Sequence, residues 1–517
     1  MIETAKDIKL NVLPLALFCE HLYYYEGPCR FGSGDALKPG YDKVVFAERL
    51  KKFVEDIKNH VPEGINVMEP VLMHRNDNWA DPEEQWRAME PAVAQADIVI
   101  PMAGAGVQDL PLKFAMRFKK PLCYCPASGQ FNVPDVPAGL LARNAFHDYE
   151  CYSEIRWEDF ILRMTALRAK KVLANTNFLC VVRFDGTSGI SRPDSFVSLD
   201  YINQRFGTRF HYANLHEFID SMSKRPEGGN HTTPGREFLN VTDEDIEKAN
   251  KLCDELIDGA EFANISHEKM LPSVLAFITM RKFMDYYDCN AFSMPCPDAC
   301  STRRLNQNQF TMCLSHALNL EDGIPSACEY DLPAALSQQA LIAVSGMSPY
   351  MGNSCPVPVL DGHFKQVFGS TPELLAELEK DPVNLTSLWM TQHSVAHRHL
   401  PSPDTIAPYG VSNFAYDQGF GATLRYDFSR DAGQVITLCR ISPDGSKMFI
   451  GKGEIVTSSG HDKSNCTQAV FYRFKDSMKA HRLQCKVGLH LSLIYGDYTE
   501  ELKALAEVLG IEALVVE

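Results

Sequence analysis

Apolar and polar positions change rhythm along the chain. Asn11 to Cys19 is a short apolar run. Phe46, Leu50, Phe53, Val54 and Ile57 then recur at helical spacing and predict an amphipathic helix. Ile65 to Val71 reads as a strand, Ala96 to Pro101 as a buried strand, Asp109 to Lys120 as a helix and Pro121 to Cys125 as a strand. Alternation of this kind predicts a parallel sheet with helices on both faces. The pattern restarts near residue 170. Phe160, Ile161, Met164 and Leu167 close one helix, and Val172 to Phe184 reads as a strand. Strand and helix signals continue through Leu199–Phe206 and Leu215–Met222, and the Gly/Pro-rich stretch Ser223–Arg236 reads as a loop. Two further helices follow, one with its apolar face at Ile246, Ala249, Leu252, Cys253, Leu256 and Ile257, the other over Glu268–Tyr287. From Ala407 to Tyr495 the segments become short, rich in Thr, Val, Ile, Phe and Tyr, and punctuated by glycines. That is the pattern of an antiparallel sheet or small barrel. A helix at Thr499–Leu509 and a strand at Ile511–Val516 close the chain. The expected fold class is therefore α/β, with domains at 1–168, 169–347 and 348–517.

Size and composition agree with several cores. The 517 residues, 45% hydrophobic and 22% charged, exceed the roughly 150 residues of one domain. No apolar run is long enough for a membrane span, and the N-terminal residues carry acids in place of an export signal. A cytoplasmic protein with no membrane partner is expected. Fifty basic against sixty-six acidic residues leave a net charge of −16, and the basic runs, such as Arg281-Lys282 and Arg303-Arg304, are short. Such a chain repels a phosphate backbone, so no nucleic-acid partner is expected. The sixteen cysteines are scattered and read as free thiols. The tightest group, Cys296-x3-Cys300 followed by Cys313 and Cys328, lacks a paired zinc spacing and reads as buried structural thiols.

Candidate chemistry is sparse. Gly104-Ala105-Gly106 is half of a dinucleotide fingerprint and reads as a tight strand-to-helix turn. No phosphate loop follows Gly27, Gly32 or Gly34. The densest polar group within apolar sequence is Cys328-Glu329-Tyr330-Asp331. Carboxylates there can hold a divalent metal, or Asp331 can simply cap the next helix. His393 ends an apolar run, with His397 and His399 beyond it, and His490 stands among alternating apolar residues. A strand histidine is either a satisfied core residue or a ligand.

Gly323-Ile324-Pro325, Cys328-Glu329-Tyr330-Asp331 and Ala334-Ala335-Leu336 together resemble the metal-site segment of the L-fucose isomerase and L-arabinose isomerase superfamily. Gly488-Leu489-His490 with Tyr495-Gly496-Asp497 resembles its C-terminal histidine motif, Leu388–His393 the stretch ending in another site histidine, and Thr437–Ile441 with Gly451–Glu454 its β-domain. The resemblance runs from about residue 290 to the C-terminus. It implies two Rossmann-like parallel-sheet domains, a β-barrel-like C-terminal domain and assembly into a homotrimer or homohexamer. It implies Mn2+, or another divalent metal such as Mg2+ or Co2+, and a small-molecule carbohydrate interconverted between aldose and ketose through an enediol. Glu329 then matches a metal ligand with a catalytic role, His490 a metal ligand and His393 a catalytic histidine with Gln392 beside it. The second acidic ligand falls on Asn353, 24 residues after Glu329. Asparagine can coordinate through its carbonyl oxygen but cannot act as a general base. Asp331, Asp361 or a histidine would have to replace it, or proton transfer differs. Arg303, Asn306 and Gln309 could meet substrate hydroxyls or form a solvated helix face. His21, Tyr23, Arg30 and Phe31 could form a lid or cross-subunit contact, or a plain surface loop. The departure at Asn353 leaves two alternatives open: epimerase, lyase or dehydratase chemistry on a polyhydroxylated substrate, or a non-catalytic sugar-binding homologue.

Overall fold

The computed structural model describes residues 2–22, 34–76, 78–104, 107–129, 133–144, 149–183, 192–357 and 388–517. Asp361, Tyr23, Arg30, Phe31, Ala105 and Gly106 lie outside the described residues. Two compact units emerge, one of Ile8–Arg168 and one of Met1–Asp7 with Ala169–Glu517.

The first unit is built on a parallel sheet. Its strands are β1 (Leu10–Glu20), β2 (Ile65–Val67), β3 (Val71–Asn76), β4 (Ile98–Ala103), β5 (Leu122–Tyr124) and β6 (Cys151–Ser153). β2 and β3 pair in tandem along one side of β1, with β4, β5 and β6 following on the other. β1 has few exposed positions because it lies inside the sheet, which explains its continuous apolar run. The single strand expected over Ile65–Val71 is instead the end of β2 and the start of β3. Pro70 between them has no N–H to offer a ladder. The helix Tyr41–His60 packs on β1 through the apolar stripe Phe46, Leu50, Phe53, Val54 and Ile57. Gly104 follows β4, where a side chain would collide with the Phe46 ring.

The second unit opens with another parallel sheet. Its chain lays down β7 (Asn177–Val182), β8 (Arg209–Asn214), β9 (Phe262–Asn264), β10 (Ala291–Ser293) and β11 (Ser326–Ala327). Of these, β11, β10, β7 and β8 stand side by side in that order. The strand expected over Val172–Phe184 is shorter, because the helix Trp157–Ala174 takes Val172 and Leu173 as its last buried positions. Apolar residues ending a helix and opening a strand gave one unbroken run.

The remaining strands are β12 (Tyr350–Pro356), β13 (Leu388–Gln392), β14 (Gly410–Asn413), β15 (Ala422–Arg425), β16 (Val435–Ile441), β17 (Lys447–Ser459), β18 (Ala469–Phe474), β19 (His490–Tyr495) and β20 (Glu512–Val516). Going round, β16, β19, β12, β13, β18 and β17 pair antiparallel, and β17 returns to β16. This is a closed six-stranded antiparallel barrel, with β20 added in parallel against β17. β9, β14 and β15 form a small separate sheet. The fold is thus α/β with two parallel sheets and a C-terminal barrel. Among the described residues no helix is long and apolar enough to cross a membrane.

One helix joins the second sheet to the barrel. Leu332–Ser345 is buried from Leu332 to Val344 and touches β10, β11, β16 and β19. A helix enclosed on all sides must be apolar all round or have its polar groups satisfied. Gln338 Oε1 accepts the Ser326 N–H at 2.8 Å, and Ser337 Oγ accepts the Ile441 N–H at 2.8 Å. The helix N-terminus is thereby fixed between β11 and the barrel.

The segment after β13 is anchored by a buried ion pair. Arg398 donates through Nε and Nη2 to the Glu321 carboxylate at 2.8 and 2.7 Å, and its backbone N–H joins at 2.8 Å. Beside it, His397 Nε2 bonds the Pro349 carbonyl at 3.1 Å while Nδ1 accepts the His399 N–H at 3.2 Å. These bonds require a neutral ring. Burial lowers the His397 pKa to about 4, although the Glu321 carboxylate works the other way and His399 adds to the lowering. The unfolded chain takes up this proton near pH 6.5 and the folded chain only near 4. Stability should therefore be complete above pH 6.5 and fall by up to about 3 kcal/mol as pH drops through that window. His397→Gln should remove this component. Denaturation midpoints of both proteins at pH 7 and pH 4.5 would check it, and parallel acid losses would contradict it.

Candidate metal centre

The centre begins at a strained turn. Between β11 and the buried helix, Glu329 and Tyr330 both adopt left-handed backbone, with φ of 62° and 63°. Each costs on the order of 1–2 kcal/mol for a residue with a Cβ. Asp331 ends the turn as the N-cap of the helix, Oδ1 accepting the Ala334 N–H at 2.8 Å. His490 opens β19, and His393 follows β13 directly. The Tyr350 hydroxyl holds the His393 backbone, accepting its N–H at 2.8 Å and donating to its carbonyl at 2.7 Å.

These elements bring Glu329, His393 and His490 together, with one ligand atom from each within 4.8 Å of the others. His393 Nε2 lies 3.6 Å from Glu329 Oε1, and His490 Nε2 lies 3.9 Å from Glu329 Oε2. Both separations exceed a hydrogen bond and leave room for an ion between the donors. His490 Nδ1 meets Asp331 Oδ2 at 2.7 Å. With Nδ1–H donating there, the Nε2 lone pair is free. A carboxylate behind a ligating imidazole is the usual way to fix its tautomer and aim. Among the described residues, neither ring nitrogen of His393 nor Nε2 of His490 has a hydrogen-bond partner, although both side chains are buried. Buried polar nitrogens without partners are costly, and a cation is the partner that fits a carboxylate and two imidazoles. The group can hold a metal ion.

Asp331, for which a catalytic role was expected, has partners on both carboxylate oxygens. Oδ2 also accepts from Arg440 Nη1 at 2.8 Å. Burial alone would push its carboxyl up, but Arg440 and His490 outweigh burial and hold it well below the usual carboxylate range. Arg440 is fully buried and uses every donor it has. It reaches the Val487 carbonyl through Nε, Asp331 and the His490 carbonyl through Nη1, and the backbone and carboxylate oxygens of Asp194 through Nη2. A sequence signal for it existed: an arginine inside the apolar strand segment Leu438–Ile441 needs buried partners.

For Glu329, the neighbouring His393 ring keeps the carboxyl below its ordinary value against the effect of burial. Burial alone would lower His393; the Cys466 thiol and Glu329 outweigh it and push its pKa up to about 10. Gly488 next to this group has φ of 124°, and a Cβ there would sit 2.6 Å from both Arg440 Nε and Asp194 Oδ2. Gly488→Ala should therefore cost at least about 2 kcal/mol through strain and collision. A denaturation midpoint equal to that of the unaltered protein would contradict this packing.

The other expected site residues divide. Asn353 on β12 pairs in register with both His490 and Gln392. Its amide nitrogen faces Gln392 Oε1 at 3.5 Å, which leaves its carbonyl oxygen as the available donor atom. Gln392 in turn donates to the Cys466 carbonyl. Glu329 and His393 line a cavity of about 340 Å3 whose wall also includes Asn306. Arg303 is exposed and forms no part of that wall, and Gln309 is engaged by Lys269 Nζ at 3.0 Å. His21 faces Asp42 at 3.9 Å within the first unit. The sequence reading missed the aromatic wall contributed by the loop after β14, with Phe414, Tyr416 and Phe420. It took Cys296 and Cys328 as structural thiols and missed His316, which joins them in a second group whose ligand atoms likewise lie within 4.8 Å of one another, Cys296 and Cys328 lining the same cavity. No protein-family model matches the chain, and no curated protein matches it.

Proposed function

We propose that this chain is a divalent-metal-dependent enzyme of the aldose–ketose isomerase type, a divergent relative of the L-fucose and L-arabinose isomerases acting on a sugar or sugar derivative. The observation that carries this reading is the convergence of Glu329, His393 and His490, with imidazole nitrogens that have no hydrogen-bond partner among the described residues, Glu329 and His393 also lining a cavity. These three residues would hold the ion, with Mn2+ the expected metal. A bound ion of this kind supplies Lewis-acid polarisation of neighbouring substrate oxygens. Asp331 keeps His490 in one tautomer. Glu329, the carboxylate on the wall, is assigned the transfer of the carbon-bound proton. Asn353 cannot take that part, and Asp331 is already engaged by Arg440 and His490.

Metal-stripped protein should be inactive and regain activity with Mn2+ when tested against a panel of free aldoses and ketoses. In D2O, proton NMR should show deuterium entering C2 with the carbon skeleton unchanged. No interconversion across the panel would remove the isomerase reading. A second reading has one specific support. Much of the cavity wall is apolar, including Leu305, Met312, Phe414 and Phe420, and offers few partners for hydroxyls. That lining suits elimination or carbon–carbon cleavage of a polyhydroxylated substrate carrying an apolar group. A changed carbon skeleton in the same NMR experiment would select it.

A further inference from the structure

We propose that Cys296, Cys328 and His316 form a second metal site, for a zinc-type dication, with a ligand set separate from that of the neighbouring centre at Glu329. The three residues come from different elements. Cys296 begins the helix Cys296–Ser301 after β10, His316 lies within the helix Cys313–Glu321, and Cys328 follows β11. The two sulfurs are 3.8 Å apart. Two thiolates on a tetrahedral ion with metal–sulfur bonds of about 2.3 Å stand about 3.8 Å apart. A disulfide would need the sulfurs to close to about 2.05 Å and would still leave His316 unexplained.

His316 supplies the second, independent observation. It is fully buried, and its Nε2 has no hydrogen-bond partner among the described residues. Its Nδ1 meets Ser326 Oγ at 2.8 Å, and Asn319 Nδ2 also donates to that hydroxyl at 3.1 Å. With Nδ1–H donating to Ser326, the Nε2 lone pair is the one offered to the sulfurs. This is the outer-shell hydrogen bond that orients a ligating imidazole. Thiolate and imidazole donors favour a borderline-soft ion such as Zn2+ over Mg2+ or Ca2+. Cys296 and Cys328 both line the 340 Å3 cavity, so the fourth coordination position faces it. Three protein ligands with one position left open is the arrangement of zinc sites that take an exchangeable ligand. Metal binding displaces the two thiol protons to solvent, with no change of oxidation state.

The test uses the reduced, metal-stripped full chain. Co2+ added to the Glu329→Gln variant should produce a thiolate-to-cobalt charge-transfer band, because that substitution removes the carboxylate of the other centre and leaves Cys296, His316 and Cys328 in place. X-ray absorption of the same variant with one equivalent of Zn2+ should show two sulfur neighbours at about 2.3 Å. Cys296→Ser/Cys328→Ser should lose the band while keeping its near-ultraviolet circular dichroism. His316→Ala should bind Co2+ at least about tenfold more weakly. Zinc surrounded only by nitrogen and oxygen would overturn the site, as would an undiminished cobalt band in the double variant. Both readouts are independent of turnover, so they stand apart from the outcome of the sugar assays.

Discussion

Glu329→Gln is expected to weaken Mn2+ binding by at least about a hundredfold. Loss of an outer-shell partner already costs 10–100-fold in metal affinity, and this change removes the one charged ligand of the group. The amide keeps the size of the side chain and one neutral oxygen, so the cavity retains its shape. Glu329 makes no close hydrogen bond to His393 or His490, the separations being 3.6 and 3.9 Å. The fold should therefore survive, and the variant should separate metal loss from unfolding. Calorimetric titration of the stripped protein with Mn2+ would measure the effect, and unchanged affinity would undo the ligand assignment. Asp331→Asn should act differently. It leaves the first ligands in place but weakens the grip on the His490 tautomer, so affinity should fall by about tenfold or more, together with stability.

The largest effect on stability is expected for Arg440→Met, at about 3–5 kcal/mol. The side chain is fully buried and donates five hydrogen bonds, two to the carboxylates of Asp331 and Asp194 and three to carbonyls. Methionine fills the volume but strands these acceptors away from water, where an unpartnered carboxylate is most costly. Lysine should rescue little, since a compact ammonium with three donors cannot replace a planar fork with five. Urea denaturation followed by tryptophan fluorescence should show the fall, because Trp389 is buried in the same barrel. A midpoint matching that of the unaltered protein would mean the network contributes nothing.

Legibility in the sequence followed the range of the forces involved. The helix Thr499–Leu509 was readable to the residue because its period and flanking glycine are local. The barrel was readable as short glycine-punctuated strands, but its closure was not, since β16 meets β17 and β19 through register set by distant partners. Glu329, His393 and His490 each stood out in their local context, but only the family resemblance grouped them, because no spacing rule links positions so far apart. Asp331 was legible as a cap, yet its tie to Arg440 joins residues 109 apart and has no local signature. Cys296 and Cys328 were read as structural thiols, and His316, which completes their group, escaped notice for the same reason. A histidine in the middle of an apolar helix looks like core until two sulfurs from other elements arrive beside it.

The left-handed pair at Glu329 and Tyr330 carries an evolutionary consequence. Glycine at either position would relax the turn, and at Glu329 it would also erase the only carboxylate of the three-residue group. A selection for heat resistance alone would therefore favour glycine there and dismantle the carboxylate–imidazole group.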